Sequence, residues 1–510
     1  MEKNELDIET EKLSTKYLPL AIEILKEAIR IPEDYLETDS QCGLSNHEGP
    51  RMEFFKKTII EQKCVEKPED VWFDAYGNIG WMVQDCDDGI DPDKKKIVYF
   101  DGHCDTVKAL RPLWKKLGGG VDPYKGLIDS EKVDLEKIKE NLGYIPPKSE
   151  WENLVFGRGS ADQLAGVVSQ MIATKIMLEL KKLGSLKGVI IRSFGTACEE
   201  DNDGGGPMYI IRNELSGKSP QYIPDCCIFT EGTGDSTRSA LGIYIGQRGR
   251  LINEIEIIGK SAHGSMPHLG KNPIEYGSLI IKEAAERAVK MEGFLDHEFL
   301  GRGTRTCSWA FLDTPSDCAV PERFVFRFDR RITIGETPKQ TIDDLESFES
   351  VKKARDDGLT VNIRIPQYTE TTWKGYKCNN EQIYMSWITP KTHPAIQSAV
   401  ETYKSIVTPF LPKDQVETTT NIHKEPRVDR WIFSTDGVGY PVPKDYEKFT
   451  VPESKNWCSN EDYKWPAMFG IGAGFEQNTH KIGEYVDSRE LKHAISFLAR
   501  FPNVFAQEKK

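Results

Sequence analysis

Between residues 10 and 31 the apolar side chains Leu18, Ile22, Leu25 and Ile29 recur at three- and four-residue steps, the period of one helical face. An amphipathic helix is expected there, stopped by Pro32, and a second fits residues 48–61. The pattern then changes to short apolar runs, each followed by a polar loop. Residues 97–100 precede DGHCDTV, residues 189–194 precede GTACEEDNDGGG, and residues 226–230 precede EGTGD. A strong helical pattern over 161–183, with Val167, Met171, Ile176 and Leu180 among its apolar positions, lies between the first two. Strand-then-helix alternation predicts an α/β unit, a mainly parallel sheet with helices on both faces.

After Gly246 the rhythm differs. Strands are expected over 251–258, 304–312, 323–333 and 360–366, with helices over 272–291 and 337–355. Phe324, Phe326 and Phe328 alternate onto one face of their strand. The order β-α-β-β-α-β is that of a ferredoxin-like α+β unit, an open antiparallel sheet with one wet side. From about His393 the α/β signals return, with a helix over 395–407, a strand over 467–473 and a last helix over 488–501. The chain is therefore divided into an α/β domain of residues 1–245 and 393–510, with a second domain of residues 246–392 inserted into it. No internal repeat or low-complexity tract appears. Two polar, irregular stretches, 114–151 and 409–465, exceed what this architecture needs; they are either lids and specificity elements or disordered segments.

Composition narrows the picture. With 67 basic and 80 acidic side chains in 510 residues the formal charge is −13, which disfavours nucleic acid as a partner. No apolar run reaches the ~18 to 20 residues of a membrane helix, and the polar start MEKNELDIETEK is not a signal peptide. Eleven cysteines without framework spacing suit a reducing compartment, so a cytoplasmic location is expected.

The loops behind the first-domain strands concentrate ligand-type side chains: His103 and Asp105, Asp162, Glu199 and Glu200, Glu231, and His480 farther on. Each has a plain explanation alone. A histidine after a strand is commonly a hydrogen-bonded loop residue, an aspartate opening a helix an N-cap, and a Glu-Glu pair a solvated face. Together they lie at the carboxyl ends of strands, where open α/β sheets bind ligands. Carboxylates gathered at one place need a counter-charge, and two divalent cations held by carboxylate and imidazole would provide it. Zinc suits these ligands, with cobalt or manganese as alternatives.

The combined motifs DGHCDTV, GRGSADQLAG, GTACEEDNDGGG, TEG, GKSAHGSMPHLGKNP and GFEQNTHKIGE resemble those of the co-catalytic zinc peptidases and amidohydrolases. That family includes aminoacylase, succinyl-diaminopimelate desuccinylase, acetylornithine deacetylase, the glutamate carboxypeptidases and tripeptidase T. The resemblance spans about residues 18–501 and implies a catalytic α/β domain with an inserted ferredoxin-like lid that also dimerises. Within the family the chain is similar to hydrolases associated with selenium metabolism, through TPSDCAVPERFVFRFDRR, SADQ and YTETTWKGY. No substrate follows from that.

Carried over by position, the resemblance makes His103, Asp162 and Glu231 ligands of one zinc ion. Asp162, Glu200 and His480 then hold the other, with Asp162 bridging. Glu199 matches the general base, and Asp105 the carboxylate that orients the His103 imidazole. His263 matches a histidine that donates to the carbonyl oxyanion, supplied by the partner subunit in dimeric relatives; otherwise it is a turn residue. Asn272 matches a substrate-side asparagine or is only a helix N-cap. Arg331, rather than Arg330 on the opposite strand face, matches the arginine that holds a substrate carboxylate. Gly472 and Gly474 match a glycine-rich turn near the substrate, or serve turn geometry alone. Departures are Cys318 in place of a substrate-contacting asparagine, Gly232 in place of a proline, and the two extra segments. The expected activity is cleavage of an amide bond in a small peptide or N-acyl amino acid by metal-activated water, in a homodimer. The alternative is a non-catalytic descendant that binds or assembles.

Overall fold

The computed structural model describes residues 4–31, 45–122, 132–214, 223–443 and 463–507. Pro32, and the parts of the two polar segments at 123–131 and 444–462, lie outside the described residues. The first helix, Glu5–Arg30, opens where the Asn4 side chain accepts the Asp7 N–H at 2.8 Å. Its apolar stripe, including Ala21, Leu25 and Ile29, packs into the main core with the helices Ala165–Glu179 and Ser488–Gln507.

That core flanks a nine-stranded sheet. Its four central strands, Val189–Thr196, Lys96–His103, Cys226–Phe229 and Ala467–Gly470, are mutually parallel, with 96–103 between 189–196 and 226–229. Their apolar residues do not alternate because both faces are buried. Register aligns their carboxyl ends, pairing His103 with Thr196 and Asp101 with Phe229, so the loops that follow leave the sheet side by side. Antiparallel strands widen the sheet on both flanks, and Val428–Trp431, from the second polar segment, adds a parallel strand beside Ile243–Gln247. The first polar segment is also partly ordered. Its Trp114 and Ile138 pack against Ile482 and Tyr485, next to the His480 loop.

The second sheet is antiparallel, in the order Thr304–Asp313, Arg323–Ile332, Gly249–Ile258, Thr360–Arg364, the strand order of a ferredoxin-like unit. One face carries Ile255, Ile257, Phe326 and Phe328 into a core under the helices Pro273–Val289, Pro338–Glu346 and Glu349–Asp356. The chain is thus a mainly parallel α/β catalytic fold with an inserted ferredoxin-like lid.

Two helices depart from expectation. The helix expected over 337–355 breaks at Phe348, whose backbone is extended (φ −62°, ψ 136°) and whose ring is fully buried in the lid core. Sinking that ring outweighs helix continuity. The helix expected from residue 161 is regular only from Ala165, because Asp162 (φ −124°, ψ 91°) and Gln163 (φ −136°, ψ 38°) are non-helical. Asp162 is therefore not a simple N-cap.

Candidate metal centre

The aligned strand ends deliver the site. His103 is the last residue of its strand, Glu199 and Glu200 follow the strand ending at Thr196, and Glu231 follows Phe229 by two residues. Asp162 comes from the non-helical turn before Ala165 and His480 from the loop after Ala467–Gly470, where it adopts a positive φ of 61°. His103 Nε2 lies 2.9 Å from Asp162 Oδ1 and 3.7 Å from Glu231 Oε2. His480 Nε2 lies 3.1 Å from Asp162 Oδ2 and 2.9 Å from Glu200 Oε2. The five expected ligand positions thus form two groups that share Asp162, one carboxylate oxygen facing each histidine. Within each group the nitrogen and oxygen atoms lie within 4.8 Å of one another.

Glu199 belongs to neither group, yet its Oε2 stands 3.7 Å from His103 Nε2. Asp105 is fully buried beneath them. Its Oδ1 accepts the Glu199 N–H at 3.1 Å and its Oδ2 the Glu200 N–H at 3.0 Å, and Oδ1 also lies 3.4 Å from His103 Nδ1. One carboxylate therefore fixes both the imidazole and the Glu-Glu turn.

Three supporting residues escaped the sequence reading. Glu484 Oε1 accepts the N–H groups of Ala161 and Asp162 at 3.0 and 3.1 Å, while its Oε2 pairs with buried Arg158 at 2.5 Å. Gln163 donates from Nε2 to Glu231 Oε2 at 2.7 Å, and its own carbonyl accepts from Thr230 at 3.2 Å. Arg158 and Glu484 sit inside the GRGSADQ and GFEQNTHKIGE motifs, but neither motif points to their pairing.

Burial disfavours a charged His103, but Glu199, Asp105 and Asp162 outweigh it and hold the imidazole well above its ordinary pKa. Burial likewise opposes, and Asp162 and Glu200 reverse, the shift of His480, which rises to about 11. Burial, then Asp203, Glu200 and Asp105, push Glu199 well above the carboxylate range; burial and Asp162 do the same for Glu231. These carboxylates call for positive charge. Imidazole nitrogens and carboxylate oxygens in two groups of three fit divalent cations.

A cavity of about 350 Å³ opens over the two groups, lined also by Arg250, Arg331, Phe433 and Ser434. Arg331 lies on the helix-free lid face and donates to both oxygens of Asp329, at 2.8 and 3.1 Å, and to Ser434 Oγ at 3.1 Å. Arg330 turns the other way and pairs with Glu336 in the lid interior. Arg250, Phe433 and Ser434 were not anticipated; the latter two belong to the 409–465 segment.

Other expected residues stand apart from this cavity in the chain. His263 is exposed on a short strand paired with Ala319, its Nδ1 accepting from the Ser265 N–H at 3.1 Å. Asn272 caps the helix Pro273–Val289, accepting the Ile274 N–H at 3.1 Å. Gly472 backs onto the Glu231 loop, where a Cβ would meet Thr230 O at 2.1 Å. Gly474 (φ 120°) donates its N–H to Glu490 at 2.9 Å. Both glycines shape the turn beneath the ligands. Cys104 is buried, and Cys318 is exposed near the His263 turn. Among the described residues no helix is long and apolar enough to cross a membrane.

Residues 245–356 match the model of a peptidase dimerisation domain of the M20 type. The chain is 30% identical over 375 residues to the uncharacterised protein YgeY of Escherichia coli strain K12, an alignment covering 72% of this chain and 77% of that one. It is 26% identical over 275 residues to succinyl-diaminopimelate desuccinylase of Polynucleobacter necessarius, covering 53% and 60%. In fold it is similar to the di-peptidase Dug1p of Saccharomyces cerevisiae, with a TM-score of 0.62, 12% identity and 99% of both chains covered.

Proposed function

The chain belongs to the M20 family of metallopeptidases, hydrolases that act on amide bonds through a divalent metal, and from that premise we propose a dinuclear zinc enzyme cleaving a small peptide or N-acyl amino acid. The observation that carries this reading is the sharing of Asp162 between two ligand groups. His103 and Glu231 complete one zinc site, and Glu200 and His480 the other; cobalt or manganese would fit the same donors. When bound, two such ions supply Lewis acidity and make water nucleophilic near neutral pH.

The chain's own residues do the rest. Glu199, outside both groups but beside them, takes a proton from the attacking water and passes it to the leaving amine. Asp105 keeps the His103 imidazole oriented and the Glu199 turn fixed. Arg331, with Ser434 beside it, anchors a substrate carboxylate. His263, which is not among the residues lining its own chain's cavity, polarises the scissile carbonyl from a partner subunit. A homodimer through the inserted domain is consistent with the free edge of Thr304–Asp313, which presents Trp309 and Phe311, stacked at 6.3 Å and exposed.

Elemental analysis of zinc-equilibrated protein tests this, together with Glu199→Gln. About two zinc ions per chain are expected in both proteins, with turnover of dipeptides or N-acyl amino acids lost by roughly 10³-fold or more in the variant. One ion per chain would remove the bridged site. A variant retaining most of its turnover would remove Glu199 from the base role.

A further inference from the structure

The helix-free face of the lid sheet gathers cations where it meets the metal cavity. Arg331 has Arg250 and Thr304 as its direct cross-strand partners, so those side chains share a face. Arg248, in the one-residue link before Gly249–Ile258, and Arg302, in the short strand Gly301–Arg302 just before Thr304–Asp313, stand at the same end of the lid sheet. A fifth arginine, Arg430, arrives from the catalytic sheet. Arg248 Nη2 and Arg430 Nη2 lie 2.9 and 4.0 Å from where a Cβ on Gly301 would stand, so the two guanidinium groups converge on that turn.

Carboxylates do not balance this group. Arg250 is paired with Asp203, and Asp329 is divided between Arg250 and Arg331. Asp429 serves Arg430 but also Arg238 and Arg427. Among the described residues neither Arg248 nor Arg302 has a carboxylate within ion-pair distance. Arg248 donates only to the Leu300 carbonyl, at 2.9 Å, and Asp296 faces Arg302 across a two-residue pairing without a close contact. Burial is the first cause that lowers the Arg248 pKa, and Arg430 and Arg302 lower it further against a smaller opposing pull from Asp296. On a chain of net charge −13, an uncompensated cationic patch beside a hydrolytic cavity is a site for an anion.

We propose, building on the amide-hydrolase reading above, that the substrate carries a second anionic group that sits between Arg248, Arg302 and Arg430, beside the carboxylate anchored by Arg331. Planar guanidinium forks suit a carboxylate or a phosphate. Because the patch adjoins Arg331, the second charge belongs to the same half of the substrate, the amino acid released as the leaving amine. The substrate class is an amide of an acidic or phosphorylated amino acid.

Calorimetry on the zinc-loaded Glu199→Gln protein reads binding without turnover. N-acetyl-glutamate is compared with its neutral isostere N-acetyl-glutamine, and N-acetyl-O-phosphoserine with N-acetyl-serine. At least one charged member is expected to bind about tenfold or more tightly than its neutral partner, and which pair does so separates carboxylate from phosphate. Adding Arg248→Gln and Arg302→Gln should bring the ratio close to one, whereas Arg248→Lys with Arg302→Lys should keep much of it. Ratios near one in both pairs, or a ratio that survives the glutamine substitutions, overturns the proposal. A preserved binding ratio alongside wild-type protein that hydrolyses none of these amides would instead count against amide cleavage alone.

Discussion

Glu484 sits in neither ligand group, yet it sets where Asp162 can be. Its Oε1 takes two successive backbone N–H groups, and its Oε2 neutralises an arginine that is itself buried. Glu484→Gln keeps the size but leaves Arg158 without its counter-charge, so the 161–162 backbone loses its fixed point. Zinc affinity should fall by about 10- to 100-fold, read by competition with a chromophoric chelator. An unchanged affinity would show that Asp162 is positioned by other contacts. The candidate ligand positions were legible in the sequence because histidine and carboxylates recur after successive apolar runs, a joint pattern that the plain explanation of each residue alone does not cover. Arg158 and Glu484 were not, because an ion pair between positions 326 residues apart leaves no periodic trace. Asn272 shows where residue type stops short: it suits both a substrate contact and an N-cap, and within the chain it caps its helix and donates to Glu275.

At the scale of elements, alternation was the dependable signal. It put Arg331 and Arg330 on opposite faces of one strand, and the structure has Arg331 in the metal cavity and Arg330 against Glu336. Helix boundaries were less legible, because long-range demands override the local pattern: the Phe348 ring sinks into the lid core, and the turn before Ala165 is taken up by Asp162. The C-terminal helix Ser488–Gln507 is buried on nearly all sides and carries His493 at 4% exposure, its Nδ1 without a hydrogen-bond partner among the described residues. Burial, then Lys492, lowers the His493 pKa to about 3. The folded chain thus keeps this imidazole neutral while the unfolded chain protonates it near pH 6.5. The resulting stability is fully present above pH 6.5 and is lost as pH falls towards 3, by about 2 kcal/mol at pH 5. Urea unfolding of the wild type and His493→Leu at pH 7 and pH 5 checks this. The variant should gain on the wild type by about that amount on acidification, and a pH-independent difference would mean that His493 is not held neutral.

At the scale of the whole molecule the question is whether the exposed His263, which does not line the cavity of its own chain, serves that of a second copy. The free edge at Thr304–Asp313, with Trp309 and Phe311 open on it, and the match of 245–356 to a dimerisation domain point to a second copy. If the partner supplies His263, each cavity in a dimer is built from one chain's Glu199 and the other chain's His263. Glu199→Gln and His263→Ala proteins should then each be nearly inactive alone. Unfolded together and refolded at equal amounts, half of the dimers would be mixed, and every mixed dimer would own one cavity with both residues intact. Recovery of about one quarter of wild-type turnover is expected from that statistics. Action within one chain would leave the mixture as inactive as its components, because no single chain would then hold both groups. Trp309→Glu separates the two cases again: charge placed on the free edge should yield monomers in sedimentation that keep their zinc and lose turnover. Monomers with full activity would rule out a His263 supplied by the partner.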